Sequence, residues 1–150
     1  MMAKYASFLT GGDVAPNRKD GHGLFGELAE LFQKADVSFV NLEHALSTRG
    51  ELVLGKPHFH RGYPKSVDGL QEAGLSCVNL ANNHILDYGV DSLLETFDVL
   101  DERGIPYFGA GPNLTGARKP HIVQHDELRV AFLGYTTFLP RGFAATDTQI

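Results

Sequence analysis

Three short polar clusters interrupt the apolar runs of this sequence, and each contains side chains that can ligate a metal ion or transfer a proton. The clusters are Gly12-Asp13, Asn41-Leu42-Glu43 and Asn82-Asn83-His84. Together they offer two carboxylates, amide oxygens and an imidazole. Such a mixed set suits a hard or borderline divalent ion, such as Mn²⁺, Mg²⁺, Fe²⁺ or Zn²⁺. The residue types therefore indicate a candidate divalent-metal site.

The same residues have a simpler interpretation as turns. Asp, Asn and Gly are common at strand ends because they form turns and cap helices. Asp87 is the best example, since a helix favours a carboxylate in its first turn and Gly89 allows the bend. Spacing alone leaves the choice between turns and a site about even.

Alternating strand and helix patterns bring the three clusters to one edge of a sheet. From short apolar runs rich in β-branched and aromatic residues, we predict strands at 5–10, 37–42, 75–80, 105–111 and 129–136. Apolar residues at helical spacing predict helices at 24–35, 66–73 and 91–103. Strands separated by helices pair in parallel, because a parallel neighbour needs a long crossover. The fold class is therefore α/β, and the clusters follow strand ends, where open α/β sheets bind ligands.

Composition excludes several classes of function. The chain has 150 residues, 43% of them apolar, which is enough for one core and one domain over 1–150. The net charge is −5 and the 13 basic residues are scattered, so we expect no nucleic-acid partner. No apolar run approaches the roughly 20 residues that span a bilayer. With no signal-peptide pattern and a single cysteine, Cys77, we expect a cytoplasmic protein without a membrane segment.

Four blocks of the sequence, in order, resemble successive blocks of one known family. They are "GGDVAP", "DVSFVNLEHALS", "LQEAGLSCVNLANNHILDYGVDSLLETFDVLDERGIPYFGAG" and "ARKPHIVQHDELRVAFLGYT". These blocks look like those of the CapA-type proteins of poly-gamma-glutamate capsule biosynthesis, whose domain is similar to the calcineurin-like metallophosphatases. The resemblance runs from about Phe8 to Tyr135, and its "NLE" and "LANNHILDYG" segments are specific.

The resemblance implies a metallophosphatase-like α/β/β/α sandwich and a set of roles for the polar clusters. By motif, Asp13 and Asn83 would be metal ligands, and Glu43 would stand where a carboxylate bridges two metals. His84 would be the catalytic group that stabilises or protonates a phosphate ester. The implied chemistry is metal-assisted hydrolysis. The residues expected behind the ligands or in the pocket are Asn41, His44, Asn82 and Asp87.

One departure from the family pattern affects these expectations. Similar proteins continue into a His-Trp-Gly-type segment and a closing His-x-His block, and nothing after Tyr135 resembles either. We therefore expect the N-terminal portion of the family domain, an incomplete sandwich and only part of the metal-ligand set. An incomplete domain exposes an apolar sheet edge, so we also expect self-association.

The remaining histidines have weaker claims to a role. His58 and His60 are two residues apart, which on an extended segment is the geometry of a ligand pair. We favour instead a loop that lines the mouth of the site. His22 is interpreted as a solvated loop residue, and His121 and His125 as solvent-facing.

Three functions from different classes remain open. The leading one is a metal-dependent, phosphoesterase-like hydrolase that acts on a small-molecule or polymer substrate. The alternative is a non-hydrolytic component of poly-gamma-glutamate synthesis or export. The third is a truncated, non-catalytic fragment. Metal content and turnover separate the first from the other two.

Overall fold

Four parallel strands form the centre of the fold, in the order in which they occur along the chain. The computed structural model describes residues 5–138 and 144–148. The strands are β1 (Phe8–Val14), β2 (Val37–Leu42), β3 (Cys77–Asn79) and β4 (Tyr107–Phe108). The crossovers contain α1 (Leu28–Lys34), α2 (Val67–Glu72) and α3 (Gly89–Glu102). The α/β class predicted from the sequence is confirmed.

The helices differ from their predicted bounds mainly at their starts. A turn that includes Gly26, at φ 52°, precedes α1, so the predicted start at residue 24 was too early. A 3₁₀ turn, Pro64–Ser66, leads into α2. Gly74 and Gly104, at φ 65° and 63°, follow α2 and α3 as the sequence predicted. None of the helices in the described residues is long and apolar enough to cross a membrane.

The last two strands form a separate antiparallel hairpin, and not a fifth parallel strand. β5 (His121–His125) pairs with β6 (Leu128–Phe132). The sequence analysis missed β5, because its two apolar residues, Ile122 and Val123, are adjacent and too few to indicate a strand. The interpretation of His121 and His125 as solvent-facing is also wrong, since both are half-buried in β5. A short helix, α4 (Leu114–Ala117), precedes this hairpin.

The hairpin packs on one face of the parallel sheet and the helices pack on the other. Val130 and Phe132 of the hairpin contact the buried Val37 and Cys77. On the helix side, a larger core includes Val40 and many residues of the crossovers. The described residues therefore form three layers, helices, parallel sheet and β-hairpin, which agrees with the first three layers of an α/β/β/α sandwich.

A bulge in β1 sets the direction of Asp13. Thr10 pairs with Phe39, and Asp13 pairs with Asn41. Between these two pairs β1 advances by three residues and β2 by two, so β1 contains one extra residue. The extra residue lies at Gly11-Gly12. Because successive side chains of a strand alternate between faces, the bulge turns Asp13 to the face of Phe39 and Asn41. This is the face on which the hairpin packs.

Replacing Gly11 by alanine should disturb the bulge. A Cβ atom at Gly11 would lie 2.9 Å from Val40 Cγ1 and 3.4 Å from Phe32 Cζ, both buried. We expect a loss of about 1–3 kcal/mol in the free energy of unfolding, measured in urea. Gly12→Ala is the matched control, because a Cβ there meets nothing within 4 Å, and its effect should stay within about 0.5 kcal/mol. Equal effects of the two changes would contradict this account of the bulge.

The thiol of Cys77 should be inert in the folded protein. Cys77 is fully buried in β3, and burial raises the pKa of its thiol to about 12. Because the thiolate is the reactive form, a thiol reagent at pH 8 should label Cys77 only as the protein unfolds. Labelling rates followed against urea concentration test this, and fast labelling of the native protein would contradict it.

Candidate functional site

A row of polar side chains crosses the carboxyl end of the parallel sheet. Asp13, Asn41 and Asn79 occupy paired positions on β1, β2 and β3. Asn41 Nδ2 donates to Asp13 Oδ1 at 2.7 Å, and Asn79 Nδ2 donates to Asn41 Oδ1 at 2.8 Å. The two amides therefore fix the orientation of the Asp13 carboxylate.

The sequence analysis placed Asp13 and Asn41 at this edge but missed Asn79. Asn79 was treated as part of the interior of the third strand. A signal was present, because β2 and the segment from β3 share the tripeptide Val-Asn-Leu, at 40–42 and 78–80. An asparagine in the same place of two buried strands indicates that the two side chains meet.

The two asparagines of the "NNH" segment have different environments. Asn82 is buried, its Oδ1 accepts from the backbone N–H groups of His84 and Ile85 at 2.9 and 3.0 Å, and its Nδ2 donates to Leu42 O at 2.8 Å. Asn82 is thus a turn residue that shapes the end of β3. Asn83 is exposed, and its backbone carbonyl accepts from Lys56.

His84 forms a buried pair with Asp87. The His84 Nδ1 lies 2.7 Å from Asp87 Oδ2, and the two residues are 9% and 1% exposed. Next to a carboxylate, Nδ1 carries the proton, which leaves Nε2 directed away from the pair. The turn interpretation of Asp87 is therefore wrong for its side chain. α3 begins at Gly89, and the acidic residue in its first turn is Asp91.

The Asp87 carboxylate also holds a loop from elsewhere in the chain. Its Oδ1 accepts from Lys56 Nζ, and its Oδ2 accepts from the backbone N–H of His60 at 2.8 Å. Lys56 Nζ lies 3.3 Å from His84 Nδ1 as well. Sequence analysis missed Lys56, since a lone lysine in an irregular segment carries no pattern.

Glu43 faces the free side of His84. Its Oε1 lies 4.0 Å from His84 Nε2, and its backbone N–H donates to Val14 O at 3.0 Å. That separation is too long for a hydrogen bond, so the imidazole and the carboxylate face each other without a direct bond. The sequence prediction that Glu43 and His84 meet at the strand ends is met in the structure.

Two further imidazoles surround His84. His44 is 2% exposed and its Nε2 donates to Pro16 O at 2.9 Å. Burial lowers the pKa of His44, against the opposing effect of the Pro16 carbonyl. The His60 ring packs 4.5 Å from that of His84 and 6.2 Å from that of His44, measured between centroids. His60 therefore lines the mouth, as the loop interpretation of "PHFH" predicts, while His58 and His22 are exposed.

The donor types fit a divalent ion, but the described residues supply only part of a coordination shell. Within 5–138 and 144–148, no three side chains of His, Cys, Asp and Glu lie close enough together to hold a metal ion. Asp13 is bound to Asn41, whereas Glu43 faces His84. Of the four residues predicted to converge, Glu43 and His84 face each other, Asp13 is bound to Asn41 instead, and Asn83 is exposed.

A cleft of about 480 Å³ opens next to the imidazoles. One wall is the loop 59–63, and the others come from the ends of β1 and β2 and from the turn before α3. Its polar lining includes Asn17, His44, His60, Arg61, Tyr63 and Tyr88. We refer to it as the Arg61 cleft.

The sequence matches a family model over nearly its whole length. The model describes the bacterial capsule synthesis protein PGA_cap and matches residues 7–149. The chain belongs to the PGA_cap family. This confirms the CapA-type resemblance of the four sequence blocks.

Several curated proteins are similar to this chain in sequence. The chain is 33% identical over 139 residues to the uncharacterized protein y4sH of Sinorhizobium fredii, covering 86% of this chain and 30% of that protein. It is 36% identical over 99 residues to a probable polyglutamine synthesis accessory protein of Mycobacterium tuberculosis, covering 66% of this chain and 26% of that protein. It is 29% identical over 136 residues to the capsule biosynthesis protein CapA of Bacillus anthracis, covering 89% of this chain and 33% of that protein. The matched part of the chain thus spans between 26% and 33% of the length of these relatives.

Removing the Asp87 carboxylate should destabilise this PGA_cap chain. Asp87→Ala leaves His84 Nδ1 and the His60 N–H without their acceptor and the Lys56 ammonium without its counter-charge. We expect a loss of about 3 kcal/mol in urea unfolding, at the low end for breaking a buried ion pair, because the Lys56 side chain keeps 17% exposure. Asp91→Ala, an exposed change in the first turn of α3, is the control and should cost less than about 1 kcal/mol. Similar losses for both would contradict the central role of Asp87.

Proposed function

We propose that this chain carries the acid–base part of a metal-dependent hydrolase of the phosphoesterase type. The observation that carries the proposal is the alignment of Asp87, His84 and Glu43. A buried carboxylate holds His84 by Nδ1, and Nε2 faces a second carboxylate across a 4.0 Å gap. An imidazole held in this way is typical of a general acid or base.

His84 moves the proton in this proposal. The Asp87 carboxylate accepts from Nδ1 and fixes the orientation of the ring, so that a proton on Nε2 can pass to a leaving oxygen. Lys56 shares the charge of Asp87 and keeps that carboxylate in place. The Asn82 side chain fixes the backbone of His84 by accepting from its N–H.

Asp13 and Glu43 are the proposed metal ligands, with Asn83 as a further candidate. Asn41 holds the Asp13 carboxylate in a fixed orientation, as outer hydrogen-bond partners do for metal ligands. A bound divalent ion would supply Lewis acidity and make a water molecule a better nucleophile at neutral pH. Its remaining ligands would come from outside the described residues.

The names of the relatives support a polymer substrate. One is a probable polyglutamine synthesis accessory protein and another a capsule biosynthesis protein. We propose that this chain serves the same kind of pathway and acts on a polyglutamate-type chain or on an ester related to its synthesis. The second candidate is a non-hydrolytic accessory role. The partial ligand set of the described residues favours it.

Metal content and turnover of the purified chain test the hydrolase. We expect bound Mn²⁺, Fe²⁺ or Zn²⁺ and slow hydrolysis of bis(p-nitrophenyl) phosphate. Asp13→Asn and Glu43→Gln should lose both metal and turnover. His84→Asn should keep the metal and lose turnover by about 10²–10⁴-fold, because its role is the proton.

His58→Gln is the matched control, an exposed imidazole in the neighbouring loop, and it should change neither quantity. A wild-type chain that binds no divalent ion and hydrolyses nothing would refute the hydrolase and leave the accessory role. Equal turnover in the wild type and in His84→Asn would refute only the role of His84 and would leave the hydrolase proposal standing.

A further inference from the structure

The Arg61 cleft differs in charge from the rest of the protein. The chain has 18 acidic residues and a net charge of −5, yet no aspartate or glutamate is among the described residues that line this cleft. Its polar lining consists of imidazoles, hydroxyls, an amide and one guanidinium, that of Arg61. A concave site with one permanent positive charge and many hydrogen-bond donors suits an anion.

Arg61 is held in a geometry that suits anion recognition. Its guanidinium lies over the Tyr88 ring, with the central carbon 3.9 Å from the ring centroid. Nη1 donates to Arg49 O at 3.2 Å, which fixes the plane. The contact with Tyr88 uses none of the N–H groups, and those not bound to Arg49 O can bind two oxygens of a carboxylate or phosphate.

Two carboxylates behind the cleft wall are already occupied, those of Asp87, which binds Lys56 and the His60 N–H, and of Glu95. Glu95 accepts from Ser47 Oγ at 2.5 Å, from Thr48 N at 2.8 Å and from Arg49 N at 2.9 Å. Thr48 Oγ1 also donates to it at 3.3 Å, and Arg49 Nε lies 3.8 Å away, so its charge is largely compensated and it repels an anion in the cleft only weakly. At the rim, Lys19 Nζ lies 5.6 Å from the centroid of the Tyr63 ring and adds a second positive charge.

We propose that the Arg61 cleft is an anion-binding subsite that takes a carboxylate or phosphate group. Arg61 binds the anion by two N–H groups, and Tyr88 and Arg49 hold Arg61 in place. The His60 ring, which lines the cleft, packs 4.5 Å from His84. A molecule with its anionic group on Arg61 therefore extends past His60 to His84 and Glu43. This role as a substrate subsite rests on the proposed function, whereas the binding of the anion does not.

Binding is tested with two simple anions and the purified chain. Inorganic phosphate and glutarate are titrated into the ¹⁵N-labelled protein at constant ionic strength, followed by NMR. We expect saturable shifts at Arg61, His60 and Tyr63, and the tighter of the two probes distinguishes a phosphate from a carboxylate ligand. Arg61→Gln should weaken binding at least tenfold. Arg61→Lys keeps the charge but not the paired donors, so its affinity for the anion should lie between those of the wild type and Arg61→Gln.

Arg129→Gln is the matched control, because it removes the same charge from an exposed position on the hairpin. It should bind as the wild type does. Because Arg61→Gln also removes a stacking contact, its folding is checked by its thermal melt, and Arg61→Lys keeps the test valid if Arg61→Gln does not fold. Unchanged binding in a folded Arg61 variant, shifts that map elsewhere, or no saturation would overturn the proposal.

The same titration separates this proposal from the hydrolase. His84→Asn leaves the lining of the cleft intact, so it should keep anion binding while it loses turnover. Anion binding without any wild-type hydrolysis would refute the hydrolase and keep the subsite. Hydrolysis by the wild type without anion binding at Arg61 would refute the subsite and keep the hydrolase.

Discussion

A carboxylate with almost no contact with water connects the parts of this site. Asp87 is 1% exposed, and a charge in that environment is tolerated only with partners that replace its hydration. Those partners are an ammonium from the loop 48–63, a backbone N–H from the same loop and the imidazole of His84. The loop, the turn after β3 and the start of α3 are thus held by one group. Both the proposed proton carrier and the wall of the Arg61 cleft depend on it.

The end of the sheet supplies a second constraint, because amides take the place that apolar residues hold elsewhere in the strands. Asn41 donates to Asp13 and accepts from Asn79, so each side chain fixes the next. A chain of amides keeps its polar groups satisfied and leaves the terminal carboxylate with a fixed direction. The family membership and the sheet place this edge where α/β proteins bind ligands. The metal and the reaction remain proposals.

The sequence predicted the α/β class, β2 to the residue, and the meeting of Glu43 with His84, because these depend on local apolar patterns and on parallel pairing. It did not predict contacts that join distant, unpatterned segments. Lys56 and Asp87 are 31 residues apart, and nothing in either neighbourhood indicates the other. For Asp87 the sequence left two roles open, a carboxylate in a helix start and a residue behind the ligands, as the family resemblance implies; the local rule fits both, and only burial distinguishes them. The hairpin was missed for the opposite reason, since β5 is half-exposed and its pattern is weak.

The bulge in β1 decides which face of the sheet Asp13 reaches. With regular pairing from Thr10 and Phe39, Asp13 would stand opposite Leu42 and point among the helices; the extra residue at Gly11-Gly12 places it opposite Asn41 instead. A strand shorter by one residue, with regular pairing, would also place its aspartate opposite Asn41, without a bulge. The loss of one glycine therefore need not remove the carboxylate from the site, provided that the bulge is lost with it. What the site requires is the position of the aspartate against the partner strand, and its spacing along the chain can change as long as the bulge changes too.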